Sequence, residues 1–179
     1  MKPEVTLYTG GARSGKSRHA LRLAAERGGQ DVTFIATCVA CDEEMAERVR
    51  RHQSARPAAW RTLEEPTDLA ASVTRGSEDG SRAVIIDCLT LWLSNAMEQD
   101  WTDQRVLREA ETVASMCREI DANVIVVTNE VGGGIVPENA VARRFRDLQG
   151  QVNQVFAALS DEVVLVVAGL PLRLQGFDG

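Results

Sequence analysis

The chain has 179 residues, of which 44% are hydrophobic and 26% are charged, and its formal net charge is −6. This length predicts a single domain, residues 1–179, with a substantial core. The acidic balance argues against binding to nucleic acid over a broad surface, and no apolar run is long enough to span a membrane. The N-terminal residues lack the layout of a signal peptide, so we expect a cytoplasmic location.

Short apolar runs alternate with longer segments of helical periodicity along the chain. The runs at 83–88 and 123–128 are apolar on both faces, as in a parallel sheet covered by helices, so we expect one α/β domain. In chain order, the predicted elements are a strand at 5–9, a helix at 17–29, a strand at 32–37, a helix from 42 to 56, a short strand at 60–63, a short helix at 66–74, a loop at 75–82, a strand at 83–88, helices at 89–98 and 103–120, a strand at 123–128, a long helix opened by Pro137 and a last strand at 162–169.

Two of the predicted helices have a recognisable face. The helix that Asp42 caps and Pro57 ends carries Met45, Val49 and His52 at positions i, i+4 and i+7. The long helix after Pro137 carries an apolar stripe that faces a core. Its members are Val141, Phe145, Leu148, Val152 and Phe156.

The clearest motif is GGARSGKS at residues 10–17, which matches G-x-x-x-x-G-K-[ST] between a predicted strand and a predicted helix. Backbone N–H groups of such a loop point at phosphate oxygens, and the helix dipole favours the same anion. Lys16 is expected to reach the β- and γ-phosphates, and the Ser17 hydroxyl to bind Mg²⁺. The flanking elements disfavour the alternative of a chance glycine-rich turn. The predicted nucleotide-binding residues of this loop are Gly10, Gly11, Ala12, Arg13, Ser14, Gly15, Lys16 and Ser17.

Polar residues end three of the predicted strands. Asp87 follows four apolar residues, and we expect its carboxylate to hold the metal with Ser17, although it could merely begin a turn. Thr37, Asn129 and Glu130 end two further strands. Because ligands of open α/β sheets bind at the carboxyl ends of the strands, these residues are expected to share one rim.

The segment NEVGGGIVPEN, residues 129–139, holds three successive glycines at the same rim. Such glycines are costly in conformational entropy, which is understandable if the backbone must approach a ligand or move as a lid. A flexible surface loop explains the spacing equally well.

His52 is one of only two histidines, and Arg48, Arg51 and Arg56 lie near it in sequence. Positive neighbours disfavour imidazolium, and arginines can neutralise a triphosphate. A neutral imidazole that attacks an α-phosphate would expel pyrophosphate and form a nucleotidyl-histidine. Spacing alone does not raise this above a structural role, the role also expected for His19.

The chain has four cysteines, two of which form a C-x-x-C at Cys38 and Cys41. No second pair accompanies them, so a zinc site is not expected. A redox pair is an alternative, but reduced thiols fit better a chain without any other thioredoxin-like feature.

Several segments together resemble one family, the bifunctional adenosylcobinamide kinase/adenosylcobinamide-phosphate guanylyltransferases of cobalamin synthesis. The resemblance runs from about residue 5 to residue 174, and its most specific parts are RRHQSARPAAW and NEVGGGIVPEN. The segments, in chain order, are TGGARSGKSRHA, FIATC, DEEMAERVRRHQSARPAAWRTLEEP, DCLTLWLSN, TNEVGGGIVPENAVARRFRDLQGQVNQ and DEVVLVVAGLPLRL.

This resemblance implies a RecA-like P-loop fold, two activities and a homotrimer with sites between subunits. The enzyme would phosphorylate adenosylcobinamide with ATP or GTP and then transfer GMP from GTP through a guanylyl-histidine, with Mg²⁺ or a similar divalent cation. His52 would be the nucleophile, Lys16 and the rest of residues 10–17 the phosphate loop, and Asp87 the metal-binding acid. Residues expected in the regions that contact the guanine nucleotide are Thr37, Cys38, Val39, Arg56 and Glu64.

Two other functions fit parts of the same sequence. A plain small-molecule kinase or NTPase would use the loop and leave His52 structural. A non-catalytic nucleotide-dependent module could contact nucleic acid, but the acidic balance and the lack of a broad basic patch disfavour it. Transfer of label from α-labelled GTP to His52 separates these alternatives.

Overall fold

The computed structural model describes residues 2–39, 43, 47 and 56–175. Over these residues the chain forms a seven-stranded sheet with helices on both faces. The strands are β1 (Val5–Thr9), β2 (Val32–Ala36), β3 (Arg61–Glu64), β4 (Ala83–Asp87), β5 (Asn123–Val127), β6 (Glu162–Val167) and β7 (Leu170–Gln175). The helices are α1 (Lys16–Gly28), α2 (Leu69–Glu78), α3 (Leu89–Glu98), α4 (Asp103–Glu119) and α5 (Ala140–Leu159).

The strand order is β3-β2-β4-β5-β1-β6-β7, and every neighbouring pair is parallel except β6 and β7. The predicted α/β class with a mostly parallel sheet is thereby confirmed. In a parallel sheet the carboxyl ends of the strands lie at one edge. The segments after β1, β2, β4 and β5 therefore meet at a common rim, as the sequence predicts.

Side chains of each central strand alternate between two apolar cores. Val84 and Ile86 of β4 enter one core with helices α2, α3, α4 and α5. Ala83 and Ile85 enter the other, which Ala20 and Ala24 of α1 cover. Burial on both faces explains why the central strands read as continuous apolar runs. The small alanines of α1 let that helix approach the sheet, next to the loop that precedes it.

The long helix α5 confirms most of its predicted stripe. Leu148, Val152 and Phe156 are buried, and Phe145 packs against the same core. Val141 in the first turn is 65% exposed, so it does not belong to that core. Pro137 does not open this helix as predicted: Asn139 is the N-cap, and its side chain accepts hydrogen bonds from the N–H groups of residues 141 and 142.

Two other predicted boundaries are wrong for reasons of packing. Residues 75–78 continue α2 rather than form a loop, because Gly76 lets the helix lie close to β4: a Cβ there would stand 3.1 Å from Val84 Cγ2. The last strand ends at Val167, because Ala168 and Gly169 have φ of 51° and 82° and reverse the chain into β7. Pro171 is tolerated there because β7 is an edge strand.

The helix predicted from 42 to 56, with its cap Asp42 and its face of Met45, Val49 and His52, lies outside the described residues. Glu43 and Glu47 are described and are helical. Among the helices that the structure describes, none combines the length and the apolar character that a membrane crossing would require.

Candidate nucleotide site

The phosphate loop connects β1 to α1 and is held by backbone contacts. Gly10 has φ of 149° and lies so close to the Val166 carbonyl oxygen that a side chain would collide with it. Gly15 has φ of 100°, and the Arg13 backbone is also left-handed. The N–H of Glu130 donates to the Gly10 carbonyl oxygen at 3.1 Å. The loop is therefore fixed from the sides of β5 and β6.

Lys16 begins α1 and is only 8% exposed. Its ammonium group lies across the loop and donates to the Gly11 carbonyl oxygen at 3.1 Å. Gly11 has open space around it, so bound phosphates can lie beside this cation. The half-buried Ser17 follows at the N-terminus of the helix, where the helix dipole also favours an anion.

Asp87 brings a carboxylate to the same place from the end of β4, the strand between β2 and β5. Burial raises the pKa of the neighbouring Cys88 thiol to about 12, and the Asp87 charge acts in the same direction while Lys16 opposes it. Lys16 and Asp87 thus both act on one thiol, which is 8% exposed. A cation from the phosphate loop and an acid from the end of β4 are therefore both near enough to influence this thiol.

Behind Asp87, Thr37 clamps the backbone of Cys88. Thr37 has no exposed surface. Its Oγ1 donates to the Cys88 carbonyl oxygen and accepts from the Cys88 N–H, both at 2.7 Å. Asn95 of α3 donates in turn to the carbonyl oxygens of Thr37 (2.8 Å) and Pro66 (3.0 Å). Sequence reasoning assigned no role to Asn95, because its partners are distant in the chain.

Arg56, Glu64 and Asp87 form a charged group beside this clamp. The Arg56 guanidinium carbon lies 3.4 Å from the centroid of the Phe34 ring, a cation–π contact. Burial lowers the pKa of this guanidinium, and the carboxylates of Asp87 and Glu64 act in the opposite direction. Among the described residues, Arg56 Nε has no hydrogen-bond partner although it is buried. This N–H therefore lacks the acceptor that a buried donor usually has.

A buried polar network supports the glycine-rich loop after β5. Asn153 of α5 accepts from the Thr128 hydroxyl at 2.6 Å and donates to the Asn129 carbonyl oxygen at 3.0 Å. Gln149 donates to both Thr128 and Asn153. The Asn129 N–H donates to Thr90 Oγ1 of α3. The start of the loop is therefore anchored, whereas Gly132, Gly133 and Gly134 are exposed.

The remaining predicted site residues are only partly described. Cys38 is half-buried and Val39 is 51% exposed, and both follow β2 at the rim. Cys41, the partner of Cys38 in the C-x-x-C, and the candidate nucleophile His52 lie outside the described residues. No group of three or more potential metal-ligating side chains occurs in the part of the chain that the structure describes.

His19 makes more contacts than the sequence suggested. Its ring stacks on Tyr8 of β1, with a centroid separation of 6.4 Å and an interplanar angle of 20°. Its Nε2 donates to the Gly169 carbonyl oxygen at 2.9 Å. The expectation of a packing role is met: the ring packs on Tyr8 and is hydrogen-bonded to the turn between β6 and β7.

A parallel sheet, a phosphate loop after its first strand and an acid at the rim of a neighbouring strand define a nucleotide-binding P-loop protein of the α/β class. Comparison with known proteins gives the family. Residues 6–174 match the family described as cobinamide kinase / cobinamide phosphate guanyltransferase. The chain belongs to this family.

Two relatives are similar over nearly their whole length. The bifunctional adenosylcobalamin biosynthesis protein CobP of Pseudomonas aeruginosa is 46% identical over 170 residues, which cover 95% of this chain and 96% of that protein. The bifunctional adenosylcobalamin biosynthesis protein CobU of Salmonella typhimurium is 40% identical over 181 residues, covering 94% and 98%. These matches confirm the resemblance that the sequence motifs carry. The chain is an enzyme of cobalamin biosynthesis, a kinase and guanylyltransferase that takes nucleotide and corrinoid substrates.

Proposed function

We propose that both reactions use the phosphate loop, residues 10–17, within a single domain of residues 1–179. In the kinase step a hydroxyl of adenosylcobinamide attacks the γ-phosphorus of ATP or GTP, and the nucleoside diphosphate leaves. The observation that carries this proposal is the placement of the buried Lys16, whose ammonium group donates across the loop to the Gly11 carbonyl oxygen at 3.1 Å beside open space at Gly11. Lys16 would stabilise the negative charge on the transferred phosphoryl group. Such electrostatic stabilisation is the main contribution that a protein makes to phosphoryl transfer.

In the guanylyltransferase step we propose that His52 is the nucleophile. An imidazole nitrogen bonds to the α-phosphorus of GTP, the bond to the bridging oxygen breaks and pyrophosphate leaves. The phosphate of adenosylcobinamide phosphate then displaces the histidine and forms adenosylcobinamide-GDP. Neighbouring arginines, Arg56 among them, would stabilise the charge on the phosphates. The burial of Arg56 Nε without a partner among the described residues supports this part of the proposal.

The residues at the loop fit a divalent cation such as Mg²⁺. A hydroxyl from Ser17 and a carboxylate from Asp87 are hard oxygen donors, and Mg²⁺ in phosphoryl-transfer sites characteristically combines one or two protein oxygens with phosphate oxygens and water. The two residues would hold the ion against the nucleotide. When bound, it would neutralise charge on the β- and γ-phosphates.

We propose that the guanine nucleotide extends along the rim formed by Thr37, Cys38, Val39, Arg56 and Glu64. The exposure of Val39 and the proximity of the Arg56 guanidinium to the carboxylates of Asp87 and Glu64 support this. The Thr37 hydroxyl already donates its proton to Cys88, so Thr37 would act mainly through its backbone and its hold on residue 88.

The glycine-rich loop is proposed to contact the corrinoid or to admit it. The hydrogen bond from the Glu130 N–H to the Gly10 carbonyl oxygen joins the base of this loop to the phosphate loop. Because the two loops are neighbours, one substrate could contact both. Ile135 is 96% exposed and Val136 is 58% exposed directly after the glycines. Aliphatic side chains so exposed beside a site suit contact with an apolar part of a ligand.

We further propose a homotrimer in the cytoplasm. Leu170, Leu172 and Leu174 on the edge strand β7 are all more than half exposed, as at a surface that a second subunit covers. The unpaired thiols Cys88 and Cys117 suit a reducing compartment. Sedimentation velocity tests the trimer and cell fractionation the location; a monomeric species with full activity would contradict sites formed between subunits.

The decisive experiment uses GTP labelled at the α-phosphate. We expect covalent label on the protein that survives base and is released by acid, as a phosphoramidate on histidine requires. His52→Ala should abolish the label and retain kinase activity, because phosphoryl transfer needs the loop but no covalent intermediate. Lys16→Ala should impair both reactions. Label on the His52→Ala variant would overturn the nucleophile assignment and favour a plain kinase with a structural histidine.

A further inference from the structure

The turn between β6 and β7 lies against the phosphate loop through both polar groups of Gly169. The Gly169 N–H donates to the Ser14 carbonyl oxygen at 2.9 Å, inside the loop. The Gly169 carbonyl oxygen accepts from His19 Nε2, also at 2.9 Å. A carbonyl can only accept, so Nε2 carries the proton. One residue of the turn is thus bonded to the loop and to the first turn of α1.

The glycines on both sides make this close approach possible. A Cβ on Gly15 would stand 3.4 Å from the Gly169 Cα, so the two backbones are nearly in contact. Gly169 itself has φ of 82°, a conformation that other residues adopt only with strain. The arrangement depends on backbone contact at a defined distance rather than on a flexible side chain.

The His19 ring also stacks on the ring of Tyr8, which lies two residues before Gly10. His19 therefore touches β1 just before the loop and, through Gly169, the turn that holds Ser14 near the loop's end. The Ser14 hydroxyl is buried and has no hydrogen-bond partner among the described residues. Phosphate binding requires the loop N–H groups to stay aimed at one point, so what fixes the loop also governs affinity.

We propose that His19 is a positioning residue for the nucleotide: it clamps the β6–β7 turn against the phosphate loop and thereby sets the affinity for the triphosphate. The inference rests on the proposed function only in assuming that nucleotide phosphates occupy this loop. His19 does not touch the reacting atoms. Its contribution is to preorganise the backbone of the phosphate loop at Ser14 and Gly15.

The test is a set of substitutions that separate the hydrogen bond from the ring. A Gln amide nitrogen lies as many bonds from Cα as His Nε2, whereas that of Asn is one bond shorter. His19→Gln should therefore keep the bond to Gly169, and His19→Asn should lose it. His19→Phe keeps a ring against Tyr8 but has no donor. Arg22→Ala, one turn further along α1 in an exposed ion pair with Glu26, is the matched control.

Affinity for a non-hydrolysable GTP analogue is measured by calorimetry. We expect His19→Asn and His19→Phe to raise the Kd roughly five- to tenfold, and His19→Gln and Arg22→Ala to stay within about twofold of the parent. In steady state the KM for GTP should rise while the KM for the corrinoid stays unchanged, a split that a general loss of stability would not produce. Amide exchange at residues 168–170 should be faster in His19→Phe.

Equal losses of affinity for the analogue in His19→Gln and His19→Asn would overturn the proposal. Parental affinity in His19→Phe would also overturn it. If His19→Asn does not fold, the affinity of His19→Phe decides the question. Lys16→Ala distinguishes this failure from that of the proposed site. If Lys16→Ala binds the analogue as tightly as the parent, the nucleotide lies elsewhere. If Lys16→Ala loses binding and His19→Phe does not, only the positioning role fails.

Discussion

At the scale of single residues, Thr37 links the stability of the sheet edge to the placement of Asp87. Its hydroxyl bridges the N–H and the carbonyl oxygen of Cys88, the residue that follows Asp87. The Cys88 carbonyl oxygen also accepts from the Trp92 N–H at 3.1 Å, whereas the buried Cys88 N–H donates to Thr37 Oγ1. Since an unpaired buried polar group costs more than a hydrogen bond contributes, the hydroxyl should matter more than its size suggests.

Replacement of Thr37 by Val should lower the free energy of unfolding by roughly 1–3 kcal/mol, because the buried Cys88 N–H loses its acceptor while the volume changes little and the Cys88 carbonyl oxygen keeps the Trp92 N–H. Thr37→Ser keeps the hydroxyl and serves as the control, with a smaller loss from the missing methyl group. Urea denaturation of the three proteins measures the difference. If Val and Ser are equally destabilising, the bridge to Cys88 contributes nothing and the methyl packing explains the cost.

Sequence reasoning at this scale relates only residues that are close in the chain. Lys16 and Ser17 belong to a contiguous motif whose chemistry depends on a local turn. Asn95 was not recognised, because it donates to carbonyl groups 58 and 29 residues away. His19 was expected to pack, but its partner Gly169 lies 150 residues further on. Nothing in a single sequence relates such positions until the strands are ordered.

At the scale of elements, the glycine-rich loop combines an anchored base with exposed glycines. The base is held by Asn153 and Thr90, and Gly132 also donates to the Glu130 carboxylate at 2.7 Å. Gly133 and Gly134 would meet no neighbouring atom if they carried a Cβ. Side chains are therefore tolerated sterically in the folded protein, and a loss of activity on substitution would report on the ligand or on loop motion.

Substitution of Gly133 by Leu should weaken corrinoid turnover by about tenfold or more while the Kd for GTP changes little, because the loop is proposed to approach the corrinoid. Stability should be nearly unchanged, since the position is open to solvent. Steady-state kinetics with varied corrinoid, together with calorimetry for GTP, measure the two effects. Losses of similar size for both substrates would argue against a role directed at the corrinoid.

The edge hairpin shows where element prediction fails. Residues 162–169 read as one apolar strand, yet the left-handed backbone of Ala168 and Gly169 divides the segment into a strand and a turn. Strand β7 then pairs antiparallel with β6. Its sequence contains Pro171, which normally weakens a strand assignment, and only an edge position makes it acceptable. The edge position is a property of the sheet as a whole.

At the scale of the whole molecule, burial of uncharged thiols makes stability depend on pH in the alkaline range. Burial raises the pKa of both Cys88 and Cys117 to about 12. An unfolded thiol titrates near pH 8.5–9. The folded state therefore holds protons that the unfolded state has lost, so stability is fully present below about pH 8.5 and falls as pH rises toward 12. Burial also raises the pKa of Tyr8, which adds to the loss above pH 10.

We expect the free energy of unfolding to decrease by roughly 1–2 kcal/mol per buried thiol between pH 8 and pH 10. Urea denaturation at several pH values in a reducing buffer measures the slope. Cys117→Ala should have a shallower slope than the parent, whatever its stability at pH 8, because one of the two groups is removed. A parental slope that is flat over this range would show that the thiols are not protected by the fold.

The sequence by itself determined the α/β class, the phosphate loop, the acid at the end of β4 and the family, because each depends on local periodicity or on a contiguous motif. Only the tertiary structure decided that Asn95 holds Thr37, that Thr37 holds the backbone of Cys88, and that His19 donates a hydrogen bond to the turn between β6 and β7. These pairings join residues tens to over a hundred positions apart. They arise from the order of the strands in the sheet. That order is selected by the burial of both faces of the sheet, and no local pattern in the sequence encodes it.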